Sequence, residues 1–98
     1  MKILHLTLKK KWFDLIIQGV KKEEYRELKP YWSARLVKNI KGDWKEYDII
    51  RFRNGYSKTS PTFDIEFKGV RLGNGVIDWG AEKGQLYYVI SLGKILNV

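Results

Sequence analysis

Cysteine is absent from the 98-residue chain, and histidine occurs once, as His5. The absence of cysteine excludes a disulfide framework, a thiol nucleophile and a cysteine-based metal site. The chain also has no paired histidine–carboxylate spacing, so we expect no metal and no cofactor. A strand histidine is most often a structural, hydrogen-bonded residue, and a role as ligand or base is the alternative.

Long apolar runs are also missing. The longest runs are a few residues, whereas a helix that spans a bilayer needs about 20. The first residues lack the apolar core and cleavage site of a secretory signal. We therefore expect a cytoplasmic protein with no membrane partner. With 44% hydrophobic and 31% charged residues, the composition is typical of a soluble globular chain. The length predicts a single domain over residues 1–98.

Acidic residues are scarce relative to basic ones: 11 Asp and Glu against 19 Lys and Arg, a net charge of +8. Residues 1–53 hold 14 basic and 7 acidic side chains, and residues 54–98 hold 5 and 4. A basic excess in one half favours a polyanionic partner, because neutralising phosphates releases condensed counterions. The alternative is that the excess serves only solubility.

Hydrophobic periodicity predicts an α+β chain with two helices, over residues 9–18 and 28–37. Strands are predicted over residues 2–8, 46–53, 62–72 and 85–92, with residues 93–98 as a tail or final strand. No helical crossover separates the later strands. A small barrel is therefore favoured over a parallel doubly wound sheet.

The segment after the first predicted helix combines a sharp structural boundary with dense charge. Gly19 fits the left-handed position just past a helix end. The following residues place charges on both faces of an extended chain, so one face must hold charges near the body of the protein. Such charges are costly unless they pair or meet a ligand. Lys21, Glu24 and Arg26 are therefore predicted to form a binding cleft, with a structural salt-bridge cluster as the alternative.

The geometry of this segment leaves one question open. Glu24 and Arg26 share one face of a regular strand, whereas Lys21 faces the opposite way if the chain is fully extended. Lys21 reaches the same cleft only if the turn after Gly19 redirects it. The arginine offers a planar fork of donors for phosphate or carboxylate, and the lysine offers a point charge.

Further basic and aromatic residues are candidates for nucleic-acid binding. Three lysines at residues 9–11 lie at a helix start, where the dipole disfavours them, and they are either solvated or form a phosphate site. Arg51 and Arg53 project from one face of their strand, next to a loop that carries Tyr56 and Lys58. Aromatic side chains near the cleft can stack an unpaired base, the candidates being Tyr25, Trp32, Tyr56 and Trp79.

The spacing Gly19-x-Lys21-x-x-Glu24-x-Arg26 matches the GxKxxExR signature of ASCH domains, a branch of the PUA-like group. The flanking strand and helix also resemble that family. The resemblance implies a small PUA-like mixed β-barrel of five to six strands with two short helices. It also implies an RNA- or nucleotide-binding module, in translation or transcription control, whose motif residues line a cleft at the barrel mouth.

The resemblance implies an enzymatic alternative as well. Some small ASCH-like proteins are amidohydrolases that remove the acetyl group from acetylated cytidine, and others are associated with ribonuclease action. The amidohydrolases use a lysine at the Lys21 position, a threonine at the Glu24 position and a glutamate from elsewhere. In this chain Glu24 replaces the threonine and removes its hydroxyl. If the protein is an enzyme, Lys21 and Glu24 are the predicted catalytic residues, and Glu66 or Glu82 would supply a distal carboxylate.

Overall fold

The structure, a computed structural model, describes residues 1–97, so residue 98 of the predicted tail or final strand lies outside the described residues. Its helices are α1 (Lys10–Ile17) and α2 (Pro30–Leu36). A short 3-10 turn covers Ile77–Trp79. The strands, in chain order, are β1 (Ile3–Leu8), β2 (Glu23–Arg26), β3 (Ile49–Asn54), β4 (Thr62–Asn74) and β5 (Leu86–Asn97).

The five strands form one mixed sheet in the order β1-β3-β4-β5-β2. β1 and β3 run parallel, and the segment with α1, β2 and α2 provides the long crossover connection that parallel pairing requires. The other pairs, β3 with β4, β4 with β5 and β5 with β2, are antiparallel. The pairing of β4 with β5 is interrupted by register shifts between Asp64 and Val70.

The core lies between the helices and one face of the sheet. Leu4, Leu6 and Leu8 alternate with more exposed residues along β1, as a strand with one buried face requires. β3 shows the same alternation through Ile50 and Phe52, which are both fully buried. The two helices bury three side chains against this face, namely Phe13, Ile16 and Leu36. A second, smaller cluster of Ala81, Tyr87 and Val89 packs with Tyr25.

The α+β class, the five strands and the two helices are confirmed. β5 runs on to Asn97 as one strand, because β4 is long enough to pair with Ile95 and Asn97. The closed barrel is not supported: β1 and β2 are the two sheet edges, and no strand pairing joins them within residues 1–97. β2 has only four residues, and Arg26 reaches a β1 carbonyl with its side chain rather than through a backbone ladder. Neither helix in this part of the chain is long and apolar enough to cross a membrane.

Candidate functional site

The turn between α1 and β2 brings Lys21 to Glu24. Gly19 has a φ of +77°, the left-handed conformation expected just past a helix end. The backbone N–H groups of Val20 and Lys21 then both donate to the carbonyl of Leu15, which folds the chain back on α1. Strand geometry begins only at Glu23. The Lys21 side chain therefore reaches the face of Glu24, and the two side chains lie 3.1 Å apart, from Nζ to Oε1.

Glu24 lies between two cations and is only 6% exposed. Its Oε1 accepts from Lys21 and, at 3.2 Å, from the backbone N–H of Tyr25. Its Oε2 accepts from Arg26 Nη2 at 2.6 Å. Both carboxylate oxygens are therefore occupied, and the buried negative charge is compensated from two sides. We call Lys21, Glu24 and Arg26 the charged cluster.

Lys21 is the most enclosed member of the charged cluster, with a side chain that is 1% exposed. Its Nζ also donates to the backbone carbonyl of Trp79. The rings of Trp12 and Tyr25 lie 4.9 and 4.8 Å from Nζ, within the range of cation–π attraction. Burial lowers the pKa of Lys21, and the neighbouring Glu24 carboxylate opposes this shift.

Arg26 is more accessible, with a side chain that is 16% exposed. Besides Glu24, its Nη2 donates to the carbonyl of Thr7 on β1 at 3.1 Å. Its guanidinium carbon lies 4.8 Å from the ring centre of Trp32 on α2. Within residues 1–97 its Nε is buried without a hydrogen-bond partner. Arg26 therefore joins both sheet edges and α2 while part of its donor capacity stays unused.

An open cleft of about 950 Å³ lies above the charged cluster. Its walls come from the ends of β1 and β2, the start of α1, the loop after β3 and the segment around the 3-10 turn. Lys9, Lys10 and Glu82 contribute charges to it. Five aromatic side chains also line the cleft: Trp12, Tyr25, Tyr56, Trp79 and Tyr87. Charged groups and aromatic faces together suit a planar, polar ligand.

The wall beside Lys21 is formed by residues 75–82, which we call the strap. Val76 N–H donates to the Tyr25 hydroxyl, and Glu82 N–H donates to the Tyr87 hydroxyl. The strap also lies close to the body of the protein: a Cβ added at Gly80 would lie 2.9 Å from the Trp12 ring. Burial beneath the strap raises the pKa of Tyr25 to about 12.

Of the other residues predicted to bind nucleic acid, some lie at the cleft and others lie away from it. Tyr56 lies at the cleft and is 93% exposed. Arg51 instead pairs with Asp64 of β4 at 2.7 and 3.0 Å, and its hydrogen bond lowers the pKa of the Asp64 carboxyl. Arg53 donates to the carbonyl of Ser57. Arg51 and Arg53 do share one face of β3, as predicted. However, neither of them, nor Lys58, lines the cleft.

Several cleft residues escaped the sequence reasoning. Trp12 packs against the core, as the apolar spacing of α1 predicts, but it is half-buried and its ring also faces Lys21. Tyr87 belongs to the strand predicted over residues 85–92, and no pattern distinguishes it from its neighbours. Of the two distal glutamates, Glu82 lines the cleft, whereas Glu66 accepts from the Lys94 N–H elsewhere. Trp32 lies against Arg26 rather than among the cleft-lining residues.

No metal-binding group is evident in the part of the chain that the structure describes, since no three His, Asp or Glu side chains cluster there. Comparison of the chain with protein-family models, with curated proteins and with solved structures found no match. The resemblance to ASCH domains therefore depends on the motif spacing and its flanks.

Proposed function

We propose that the cleft binds an unpaired nucleotide of single-stranded RNA. The observation that carries this proposal is a compensated charged cluster at the base of an open cleft lined by five aromatic side chains. The GxKxxExR spacing supports it through the resemblance to ASCH domains. In this proposal the chain is an ASCH-type module that acts in the cytoplasm. Its net charge of +8 attracts the RNA polyanion.

Two properties of the cleft suit a splayed-out base. Tyr56 is almost fully exposed, so its ring offers a stacking surface without removal of other contacts. Arg26 and Glu24 are held by each other and by Trp32, so their positions are set before a ligand arrives. A duplex keeps its bases stacked and presents no such face, so the cleft favours single strands.

The test is fluorescence anisotropy with a labelled RNA octamer, single-stranded or annealed to its complement. We expect micromolar binding of the single strand and weaker binding of the duplex. Tyr56→Ala should weaken single-strand binding by about five- to 150-fold, because base stacking contributes about 1–3 kcal/mol. Tyr31→Ala is the matched control, since Tyr31 is 56% exposed and lies outside the cleft. Equal losses in the two variants, or no RNA binding by the wild type, would contradict the proposal.

A second candidate function is hydrolysis of acetylated cytidine at the same cleft. The observation that favours it is the lowered pKa of Lys21, the direction required of a lysine acting as general base. The occupied oxygens of Glu24 and the enclosure of Lys21 oppose it. In this reaction water adds to the amide carbonyl, the C–N bond breaks, and cytidine and acetate are released.

Incubation of the protein with acetylated cytidine, followed by chromatography, tests this alternative. Release of cytidine by the wild type but not by a folded Lys21→Met variant would establish hydrolysis. The same incubation with the RNA octamer tests ribonuclease action. Intact substrates alongside measurable RNA binding would leave the binding function alone.

A further inference from the structure

We propose that Arg26 and Lys9 form a phosphate site in the cleft, and that Lys21 holds the site together without touching the ligand. This inference rests on the proposed function, since it names the part of the nucleotide that these two side chains recognise. It also assigns different roles to the two cations of the motif: Arg26 contacts the ligand, and Lys21 positions its neighbours.

Lys21 has at most one N–H group left for a ligand, and its side chain is enclosed. Its ammonium carries three protons, and Trp79 O and Glu24 Oε1 accept two of them. The rings of Trp12 and Tyr25 cover it at 4.9 and 4.8 Å, and the side chain is 1% exposed. A ligand oxygen would have to displace the strap or an aromatic ring to reach Nζ. Lys21 is therefore a positioning residue for Glu24 and for the strap.

Arg26 has capacity left. Its guanidinium has five N–H groups, and only Nη2 donates within residues 1–97, to Thr7 and Glu24. Nε is enclosed without a partner. The contact with Trp32 and the bond to Glu24 fix the plane of the guanidinium. A fixed arginine that lines a cleft and has unused N–H groups suits the oxygens of a phosphate.

Lys9 supplies the second cation. It directly precedes α1, is exposed and lines the cleft. Its ammonium makes no hydrogen bond or ion pair with another described residue, whereas Lys10 pairs with Asp14 at 2.5 Å and Lys11 lies over Trp12 at 4.7 Å. Arg26 donates to the carbonyl of Thr7, two residues before Lys9, and both cations line the cleft. An anion between them would offset the unfavourable positive charge at the start of α1.

The experiment compares nucleosides with nucleoside 3′,5′-bisphosphates as competitors of the labelled RNA octamer. For the wild type we expect the bisphosphates to compete at concentrations at least about tenfold lower than the nucleosides do, because charge-assisted hydrogen bonds favour the phosphates. Arg26→Lys and Lys9→Gln should each reduce this ratio severalfold. Two matched controls should preserve it: Lys11→Gln removes the same charge in the first turn of α1, and Arg35→Lys changes an arginine stacked on Tyr31 outside the cleft.

The measured quantity is the ratio of the competing concentrations of nucleoside and nucleoside bisphosphate. A purely structural role would leave this ratio unchanged, because a loosened cleft weakens the binding of both competitors equally. A ratio unchanged in Arg26→Lys and Lys9→Gln would overturn the phosphate site while leaving RNA binding intact. A folded Lys21→Met variant that loses the ratio while Arg26→Lys keeps it would overturn the division of roles. Failure of the wild type to bind the octamer would instead contradict the proposed function itself.

Discussion

Among single residues, Glu24 is the buried charge on which two cations depend. It is 6% exposed, and its two oxygens face Lys21 and Arg26, which are themselves largely enclosed. Removing one member of such a set leaves a charge in the interior without compensation, and that cost exceeds what the pair contributes relative to apolar residues. The strongest effect is therefore expected from the residue that serves both partners.

Glu24→Gln should lower the free energy of unfolding by about 3–5 kcal/mol, because the buried Lys21 and the largely enclosed Arg26 lose their common counter-charge. Urea denaturation at neutral pH measures this loss. Glu27→Gln is the matched control: Glu27 pairs with Lys29 at 3.1 Å, but both side chains are more than half exposed. Its effect should stay within about 1 kcal/mol. Equal effects of the two substitutions would show that the charged cluster is solvated.

The raised pKa of Tyr25 predicts that the folded protein loses stability at alkaline pH. Burial raises its pKa in the folded protein to about 12, from an ordinary value of 10.0. The folded state therefore keeps a proton that the unfolded chain releases above pH 10, and stability falls between pH 10 and 12. By pH 11 the wild type should lose about 1 kcal/mol relative to Tyr25→Phe, which cannot ionise; this figure is reduced for solvent screening at the partly exposed hydroxyl. Parallel pH profiles for the two proteins would contradict the shift.

Among the structural elements, the strap depends most on glycine. Gly80 has a φ of +105° and lies against the Trp12 ring, whereas Gly84 has a φ of +78° with open space around it. Alanine at either position would meet backbone strain, but only Gly80→Ala would also push the strap away from Trp12. The pair of substitutions therefore separates conformational strain from close packing.

We expect Gly84→Ala to lower the free energy of unfolding by about 1–2 kcal/mol and Gly80→Ala to lower it further. Amide hydrogen exchange should then show faster exchange over residues 75–82 in Gly80→Ala alone. Indistinguishable stabilities and exchange rates would mean that the strap does not depend on its contact with Trp12.

The elements themselves were largely predictable, and the cleft was only partly so. Strand alternation in β1 and β3 and the stop at Gly19 depend on neighbours in the chain, so the sequence patterns found them. The partner of Lys21 across the cleft is the Trp79 carbonyl, 58 residues away, and a backbone atom leaves no trace in the residue type. The apolar spacing of α1 predicts the contact of Trp12 with the core, but it does not reveal that the same ring also lines the cleft.

For the molecule as a whole, the basic excess predicts salt-dependent RNA binding. Each phosphate contact to a single strand contributes a slope of about −0.7 to log K against log salt. Three contacts would reduce affinity about tenfold to twentyfold between 50 and 200 mM salt. Anisotropy titrations at several NaCl concentrations measure the slope. A salt-independent affinity would show that stacking alone holds the RNA.

The open sheet gives this cleft its position. β1 and β2 are the two edges, and the side chain of Arg26 bridges them at the carbonyl of Thr7. In a closed sheet, backbone pairing would occupy that gap. The failure of the barrel prediction and the presence of an opening thus have the same origin, the unpaired edges of β1 and β2.

The interlocked charges of Lys21, Glu24 and Arg26 also constrain how this chain can diverge. A descendant that exchanges one of the three passes through an intermediate with an uncompensated ion in its interior, which few small domains survive. Coordinated replacement, or retention of all three, is then the accessible evolutionary route. The motif would then persist for the sake of folding, with or without a ligand in the cleft.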